Sequence, residues 1–591
     1  MCGIVGYIGF RKADSVIISS LKRLEYRGYD SWGVAVKEEN ELKLIKKVGA
    51  IGDVEAYDVG NGRIGIGHTR WATHGKPSER NAHPHTDCSG KIAIVHNGII
   101  SNFQTLREEL ESRGHVFKSE TDTEVIAHLI EENYNGDLLN AVMKALEKVR
   151  GSYAIVALHA EKEELVAARY KSPLVLGVGD EEYIVASDVP AILDYTKRVV
   201  YLEDGDVLRV YDSGYEIFHD GKAIDRKIEI IPWSIEDAEK GGYEHFMLKE
   251  IHETPKVIED TLSEYLDDEI TIDASFAFGI SEIVFVACGT SYHACLIGKY
   301  LIEKFVDIPV KVEYASEFIY HQPPTGRTLV ISITQSGETA DTLEAMRIAK
   351  KKGAKVLTIT NVLGSTATRI ADFVLYTRAG PEISVAATKS FIAQLIVLYL
   401  IALKLSHIPR TEKMELLKEI KLLPEVVKRI LDDKEEIERV SKLLAKYENL
   451  MYIGRGIGYP IALEGALKMK EISYIHAEGY PAGELKHGPF ALLGEKTPVV
   501  ASLVRDHTYE IMLNNIKEVK ARDSIVVAVA DEDDEEVSKY VDFVIRVPKT
   551  NPIFSAITHS VALQLLAYYT AKERGCEIDK PRNLAKSVTV E

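Results

Sequence analysis

At 591 residues the chain is too long for one hydrophobic core, and its length predicts about three to five domains. A net charge of −18, with no clustered basic stretch, argues against a nucleic-acid partner. Five cysteines (Cys2, Cys88, Cys288, Cys295 and Cys576) without a CxxC or paired spacing argue against a disulfide framework or a zinc finger.

The opening MCGIVGYIGF lacks a basic stretch leading into a long apolar one, so no signal peptide is expected and the chain is placed in the cytoplasm. The first ~220 residues carry short β-like runs: CGIVGYIG, SWGVAVKE, RIGIGHTR, KIAIVHNG, YAIVALHA, PLVLGVG and EYIVASD. Amphipathic helices are predicted from Gln104 to Ser112 and from Thr123 to Asn133. Many strands with few crossovers predict stacked sheets covered by helices. From Arg226 to Glu253 the pattern loosens around Pro232, Gly241 and Gly242, as a linker would.

Beyond it the rhythm becomes strand–loop–helix, which predicts parallel α/β layers. EIVFVA leads into CGTSYHA, TLVISIT into QSGETADT, and KVLTIT follows. The apolar run Phe391 to Leu405 contains Gln394 and is too short to span a bilayer, so it is read as a buried helix. After a charged helical stretch near residues 410–446 the series restarts. Gly456 follows Gly289 by 167 positions, and Thr497 follows Thr328 by 169, which predicts a tandem duplication of one α/β domain. The acidic run Asp531 to Glu536 is read as a solvated loop.

The chemistry begins at Cys2. Removal of Met1 would leave a thiol and a free amine, of pKa near ~8, on one residue, so the amine can take the thiol proton. HTRWATHG (68–75), HNGII (96–100) and SETDTE (119–124) are dense in polar groups among buried-looking strands. Asn97 and the N–H of Gly98 suit an oxyanion hole. Arg70 can grip a carboxylate bidentately and Asp122 can hold an ammonium, so together they describe a pocket for a zwitterionic amino acid.

In the second half, the CGTS (288–291) and TQSGET (334–339) loops offer hydroxyls and backbone N–H groups at helix starts, a ready phosphate site. Neither is a Walker A loop, and GRGIGYP (454–460) lacks dinucleotide-loop spacing. Glu464, Lys468 and Glu471 fall on one helix face. A surface ion-pair ladder is the ordinary cause of such a stripe. Here Ala462, Leu463, Ala466, Leu467, Met469 and Ile472 leave little solvent-facing surface, which favours a buried polar site. His487 and Lys586 can supply an acid–base group and an amine for a Schiff base.

CGIVGYIG, RLEYRGYDSWG, HTRWATHG, AHPH, HNGII and SETDTE resemble the class II, N-terminal-nucleophile glutamine amidotransferases. That resemblance implies an αββα domain of stacked antiparallel sheets, with Cys2 attacking the glutamine amide. It implies that Asn97 and Gly98 stabilise the oxyanion and that Arg70, Thr73, His74 and Asp122 bind glutamine. Trp71 would gate an ammonia channel. Trp32 departs from the small residue usual at its place.

ALEGALKMKEISYIHAEGYPAGELKHGP and the PRNLAKSVTVE tail resemble the glucosamine-6-phosphate synthase family, the isomerizing glutamine–fructose-6-phosphate aminotransferases. The implied architecture is multidomain α/β and α+β: an amidotransferase domain (2–225), a linker (226–253), two sugar isomerase (SIS) domains with parallel sheets (254–410 and 411–578) and a tail closing the sugar site (579–591). The implied reaction makes glucosamine 6-phosphate and glutamate from fructose 6-phosphate and glutamine, the first step of hexosamine biosynthesis. Lys586 would form a Schiff base with the C2 carbonyl, and Glu471 would move a proton between C1 and C2. Glu464 and Lys468 would support that base. His487, from the neighbouring subunit of a homodimer, would assist ring opening. Ser291, Gln335, Ser336 and Thr339 would hold the phosphate, with Thr290, Val385 and Ala585 near the sugar. Thr334 in the phosphate loop replaces a usual Ser and keeps its hydroxyl, whereas Ala387 replaces a usual Ser and loses a donor. No metal or organic cofactor is expected. An asparagine synthetase would need an SGGxDS-type loop, and a sugar-phosphate sensor would have no use for Glu471, His487 and Lys586.

Overall fold

A computed structural model of the chain describes residues 2–52, 58–72, 75–231, 240–320 and 326–589. The fold divides into two compact units, Met1–Ala238 with Glu338–Ala340 and Ser587–Glu591, and Glu239–Gly337 with Asp341–Lys586.

The first unit stacks two antiparallel sheets. One has eight strands, in spatial order Glu229–Ile230, Arg198–Tyr201, Val175–Val178, Tyr183–Ala186, Gly3–Ile8, Ile64–Arg70, Ser31–Glu38 and Glu41–Val48. The other has seven: Lys222–Ile224, Gly214–His219, Asp206–Tyr211, Glu164–Tyr170, Gly151–His159, Ile92–Ile100 and His85–Thr86. The strand Ile92–Ile100 shows how period-two patterning builds the layers. Its Ala93 and Val95 point into a core shared with Ile4, Ile8 and Leu176 of the other sheet. Its Ile92 and Ile94 face the opposite way, against Val125, Leu129, Leu138 and Val142. Those four lie on the helices Glu124–Asn133 and Leu138–Leu146. Helix Ala13–Arg23 covers the eight-stranded sheet at Gly3–Ile8 and Ile64–Arg70. The layers are therefore helix, sheet, sheet, helix.

The second unit contains two five-stranded parallel sheets. The strands of one are Glu282–Ala287, Val310–Tyr314, Thr328–Thr334, Lys355–Thr360 and Phe373–Tyr376. Those of the other are Asn449–Gly454, His476–Pro481, Val499–Ser502, Val526–Asp531 and Phe543–Val547. In both, the spatial order is second, first, third, fourth, fifth, so the repeat read from residue offsets is a repeat of topology. In such sheets ligands bind beyond the carboxyl ends of the first and third strands, where the winding direction reverses. Both CGTS and TQSGET leave strands at that point in the first sheet.

The apolar run is the helix Lys389–Leu405, buried from Lys389 through Leu403. Among the described residues no helix is long and apolar enough to cross a membrane. The polar stretch read as a linker is more ordered than its composition suggests. Glu229–Ile230 pairs with Arg198–Tyr201 as the outermost strand of its sheet, and Phe246–His252 is helical. The acidic run is only partly solvated. Asp531 ends a strand and is buried, which pushes its carboxyl up to about 6. Asp534 is buried too, accepting from the Tyr509 hydroxyl at 2.8 Å.

Candidate active sites

In the first unit, strand pairing brings the thiol to its partners. Gly3 pairs with Thr69, so Cys2 lies beside the end of the strand Ile64–Arg70. The Trp71 N–H donates to Cys2 Sγ at 3.3 Å, and Sγ donates to the Trp71 carbonyl at 3.5 Å. From the facing sheet, Asn97 Nδ2 donates to the Cys2 carbonyl at 2.8 Å, and Arg27 Nε reaches the same oxygen at 3.3 Å.

The orientation of Asn97 is fixed by a histidine that the sequence did not single out. His68 Nε2 lies 3.0 Å from the His96 carbonyl and 3.1 Å from Asn97 Oδ1. Both are acceptors, so Nε2 carries the hydrogen, Oδ1 receives it, and the amide NH₂ must face Cys2. Complete burial lowers His68 to about 3 and keeps it neutral. One Nδ2 hydrogen of Asn97 then holds the Cys2 backbone, and the second remains for an oxyanion. Gly98 has φ +127, and a Cβ there would meet the Ser152 carbonyl oxygen at 2.1 Å, so only glycine fits.

Burial raises the Cys2 thiol above its ordinary value, opposed by the Trp71 N–H, Arg70 and Arg27. The thiol therefore needs a base. Burial holds the Arg70 guanidinium below its ordinary value, while Cys2, Asp122 and Asp30 pull it the other way. Its Nη2 donates to the Gly75 carbonyl at 3.0 Å. Asp122 is buried and accepts from the Ile100 N–H at 2.8 Å. Asp30, also unforeseen, accepts from the Ala72 N–H at 2.8 Å. Trp71 is half-buried, and Thr73 and His74 lie outside the described residues. Trp32 fills core space, 2% exposed, across from Thr69.

The second unit gathers its polar groups around the helix Gly458–Ser473, and the charged stripe is a buried centre rather than a surface ladder. Glu464 and Lys468 are almost fully buried. Lys468 Nζ lies 2.6 Å from Glu471 and 3.5 Å from Glu464. It also donates to Thr290 Oγ1 at 3.0 Å, and that hydroxyl donates to Glu464 at 3.1 Å. His293, one turn after Thr290, meets the other Glu464 oxygen at 2.7 Å. Burial alone would lower Lys468, but Glu471 and Glu464 outweigh it and the ammonium is held above its ordinary value. Glu471 keeps some exposure, 19% of its side chain, so it is the one of the three that a substrate can meet.

Lys586 is anchored by a carboxylate that the sequence reading missed. Its Nζ lies 2.5 Å from Glu382, which is fully buried and also accepts from Thr388 N, Ser390 N and Ser390 Oγ at 2.7–3.1 Å. Burial would raise Glu382, but Lys586 and these donors hold it at about 2. The chain end reaches this place because the Val385 N–H donates to the Asp579 carbonyl at 3.0 Å. Asp579 in turn accepts from Phe246 N and Met247 N at 2.9 Å. Glu250 accepts from Ile383 N at 2.5 Å and Ser384 N at 3.0 Å. Burial and the Glu382 charge push it up to about 8, so it holds a proton at neutral pH. Lys468 also feels the Glu382 charge, so the two carboxylate–amine groups lie within electrostatic reach of each other.

Ser291 accepts from Gln394 Nε2 at 3.1 Å, which explains a glutamine in an otherwise apolar helix. Thr334 Oγ1 accepts from Gly337 N at 3.2 Å, so the hydroxyl of this departure folds the loop back on itself. Gln335, Ser336 and Thr339 complete the loop before the helix Ala340–Lys351, and the Gln335 carbonyl accepts from Asn361 N. Val385 is buried, while Ala585 and Ala387 are half-buried. His487 ends a 3₁₀ turn, Ala482–His487, and is exposed. Among the described residues no hydrogen bond or ion pair joins it to Glu471 or Lys586. The unit thus offers an amine, a base steadied by a buried cation, and hydroxyl-lined loops at helix starts. The one group of described His, Cys and carboxylate donors converging tightly enough for a metal ion, Cys88, His115, His128 and Glu131, shares no residue with either site.

Comparison with known proteins accords with this division. Residues 1–236 match the glutamine amidotransferase domain, and residues 280–404 and 443–574 each match the SIS domain. The glutamine–fructose-6-phosphate aminotransferase (isomerizing) of Thermus thermophilus is 49% identical over the whole of both chains. That of Pyrococcus horikoshii is 51% identical, again over the whole of both. Among solved structures, the C-terminal domain of glucosamine-fructose-6-phosphate aminotransferase from Francisella tularensis is 38% identical with a TM-score of 0.56, covering 58% of this chain and 99% of that one. The chain belongs to the isomerizing glutamine–fructose-6-phosphate aminotransferase family.

Proposed function

We propose that the chain converts glutamine and fructose 6-phosphate into glutamate and glucosamine 6-phosphate. The observation that carries this reading is the pairing, on one chain, of a thiol clasped by Asn97 and Trp71 with a buried amine–carboxylate centre around Lys586 and Lys468.

In the first half-reaction Met1 is absent, and the Cys2 amine takes the thiol proton. Sulfur attacks the glutamine side-chain carbonyl, and the oxyanion rests on Asn97 Nδ2 and the Gly98 N–H. Arg70, Thr73, His74 and Asp122 hold the amino acid's charged ends, and Trp71 shields the departing ammonia. Water hydrolyses the thioester to glutamate.

In the second, Gln335, Ser336, Thr339, Ser291 and Thr334 hold the phosphate, and Thr290, Val385 and Ala585 line the sugar. His487 of a second copy in a homodimer opens the ring. Lys586, its ammonium proton released to solvent, condenses with the C2 carbonyl and expels water. Ammonia displaces the lysine, and Glu471 carries a proton from C1 to C2. Lys468, held by Glu464, sits against the Glu471 carboxylate and fixes its place. The water released at C2 balances the water consumed by the thioester. The reaction belongs in the cytoplasm.

The test is an assay with glutamine and fructose 6-phosphate, run on the wild type and on Cys2→Ala. The wild type is expected to form amino sugar, and the variant to lose glutamine use while still binding fructose 6-phosphate. Glutamate release without any amino sugar would overturn the reading of the second unit.

A further inference from the structure

We propose that Cys88, His115, His128 and Glu131 form a tetrahedral zinc site in the first unit, outside the catalytic machinery. Cys88 Sγ lies 3.6 Å from His115 Nδ1 and 3.6 Å from His128 Nδ1. Glu131 Oε2 lies 3.0 Å from His115 Nδ1 and 3.2 Å from His128 Nδ1. All four donor atoms fall within 4.8 Å of one another. Zinc with bonds of about 2.3 Å to sulfur and about 2.0–2.1 Å to nitrogen and oxygen sets tetrahedral edges near 3.5 Å for S···N and near 3.3 Å for N···O. The two S···N edges and the two N···O edges come within about 0.3 Å of those of a zinc tetrahedron.

The surroundings match as well. Metal-bound histidines usually turn their other ring nitrogen to a carboxylate. Here His128 Nε2 faces Glu124 at 3.6 Å, and His115 Nε2 faces Glu132 at 3.6 Å. Both rings would thus bind through Nδ1. The remaining ligands are steadied by backbone donors: Val116 N–H to Cys88 Sγ at 3.4 Å, and Cys88 N–H to Glu131 Oε2 at 3.2 Å. One sulfur, two imidazole nitrogens and one carboxylate oxygen form a borderline-soft set, suited to zinc and poorly suited to magnesium or calcium. On binding, Cys88 loses its proton to solvent, and thiolate and carboxylate together neutralise the ion. His128 is buried and Cys88 exposed, which leaves an entry path.

The ligands come from three segments, so no local spacing announces them. Cys88 follows the strand His85–Thr86, His115 follows the helix Phe103–Ser112, and His128 and Glu131 sit one turn apart on Glu124–Asn133. That helix begins two residues after Asp122. The ion would fasten the segment carrying Asp122 to the sheet.

The test strips full-length protein with a chelator and titrates it with cobalt(II) as a spectroscopic probe, with zinc as competitor. One cobalt per chain is expected, with a thiolate-to-cobalt charge-transfer band that zinc abolishes. Cys88→Ser, at an exposed position and checked for fold by circular dichroism, should lose the band, whereas Cys2→Ala should keep it. Glu132→Gln leaves every ligand in place and should weaken binding about tenfold or more with the band retained. Substoichiometric cobalt, a band that survives Cys88→Ser, or a band that disappears with Cys2→Ala would each overturn the assignment.

Discussion

Replacing Lys468 by Met keeps the length of the side chain and removes only its ammonium. Glu464, 1% exposed, would then lie close to Glu471 without the cation between them. Breaking a buried ionic cluster by deleting one partner costs about 3–5 kcal/mol. For a unit of this size each kcal/mol lowers the melting temperature by about 2–4 °C, so the transition of the second unit should fall by roughly 6–20 °C. Adding Glu464→Gln should restore part of the lost stability, because the stranded carboxylate is replaced by a neutral amide. Scanning calorimetry of the three proteins at one neutral pH is the assay. A single variant melting within about 2 °C of wild type, with no recovery in the double variant, would refute the account of the centre.

Gly98→Ala forces a Cβ onto the Ser152 carbonyl at positive φ, and glutamine hydrolysis should fall by about 10²–10³, as for loss of an oxyanion donor. Fructose 6-phosphate binding, measured by calorimetry, should not change. Glu382→Gln leaves Lys586 without its carboxylate, at a cost of about 1.5–3 kcal/mol. Borohydride trapping of the lysine–sugar Schiff base should drop accordingly, and undiminished trapping would remove Glu382 from that role. Glu250 has a folded-state value near 8 against an ordinary 4.5, so it stabilises below pH 4.5 and loses that contribution as pH rises through 8. Glu250→Gln should flatten the decline in melting temperature between pH 5 and 8, and parallel curves would argue against the shift.

Much of both sites was legible because their residues sit in contiguous motifs or on one helical period. Asn97 and Gly98 are neighbours, and Glu464, Lys468 and Glu471 repeat with the turn of a helix. What escaped notice has no such local mark. Glu382 lies in an irregular loop, and its partner Lys586 is 204 positions away. His68 acts through Asn97, across two sheets, and resembles any core histidine until the sheets are stacked. Glu250 falls in a stretch whose glycines and proline read as a linker, and only the fold buries it. The strands Asp206–Tyr211 and Gly214–His219 escaped because their outward residues are polar, which blurs a short apolar run. Asp531 and Asp534 carried the composition of a solvated loop but are buried by strand pairing and by Tyr509.

The matching strand order of the two parallel sheets has a consequence for how one chain came to hold an unsymmetrical centre. Advanced by the same 167 positions, Thr290 and Ser291 correspond to Ile457 and Gly458, so one copy carries hydroxyls where the other has none. In the reverse direction, Glu464 and Lys468 correspond to Ile297 and Leu301, which are buried core residues. A symmetric pair of identical copies would have to place hydroxyls and charges on every copy, including wherever core packing needs Ile and Leu. Fusing the copies lifts that constraint. One half can then keep its hydroxyls and the other its buried charges, and each remains a well-packed version of the same scaffold.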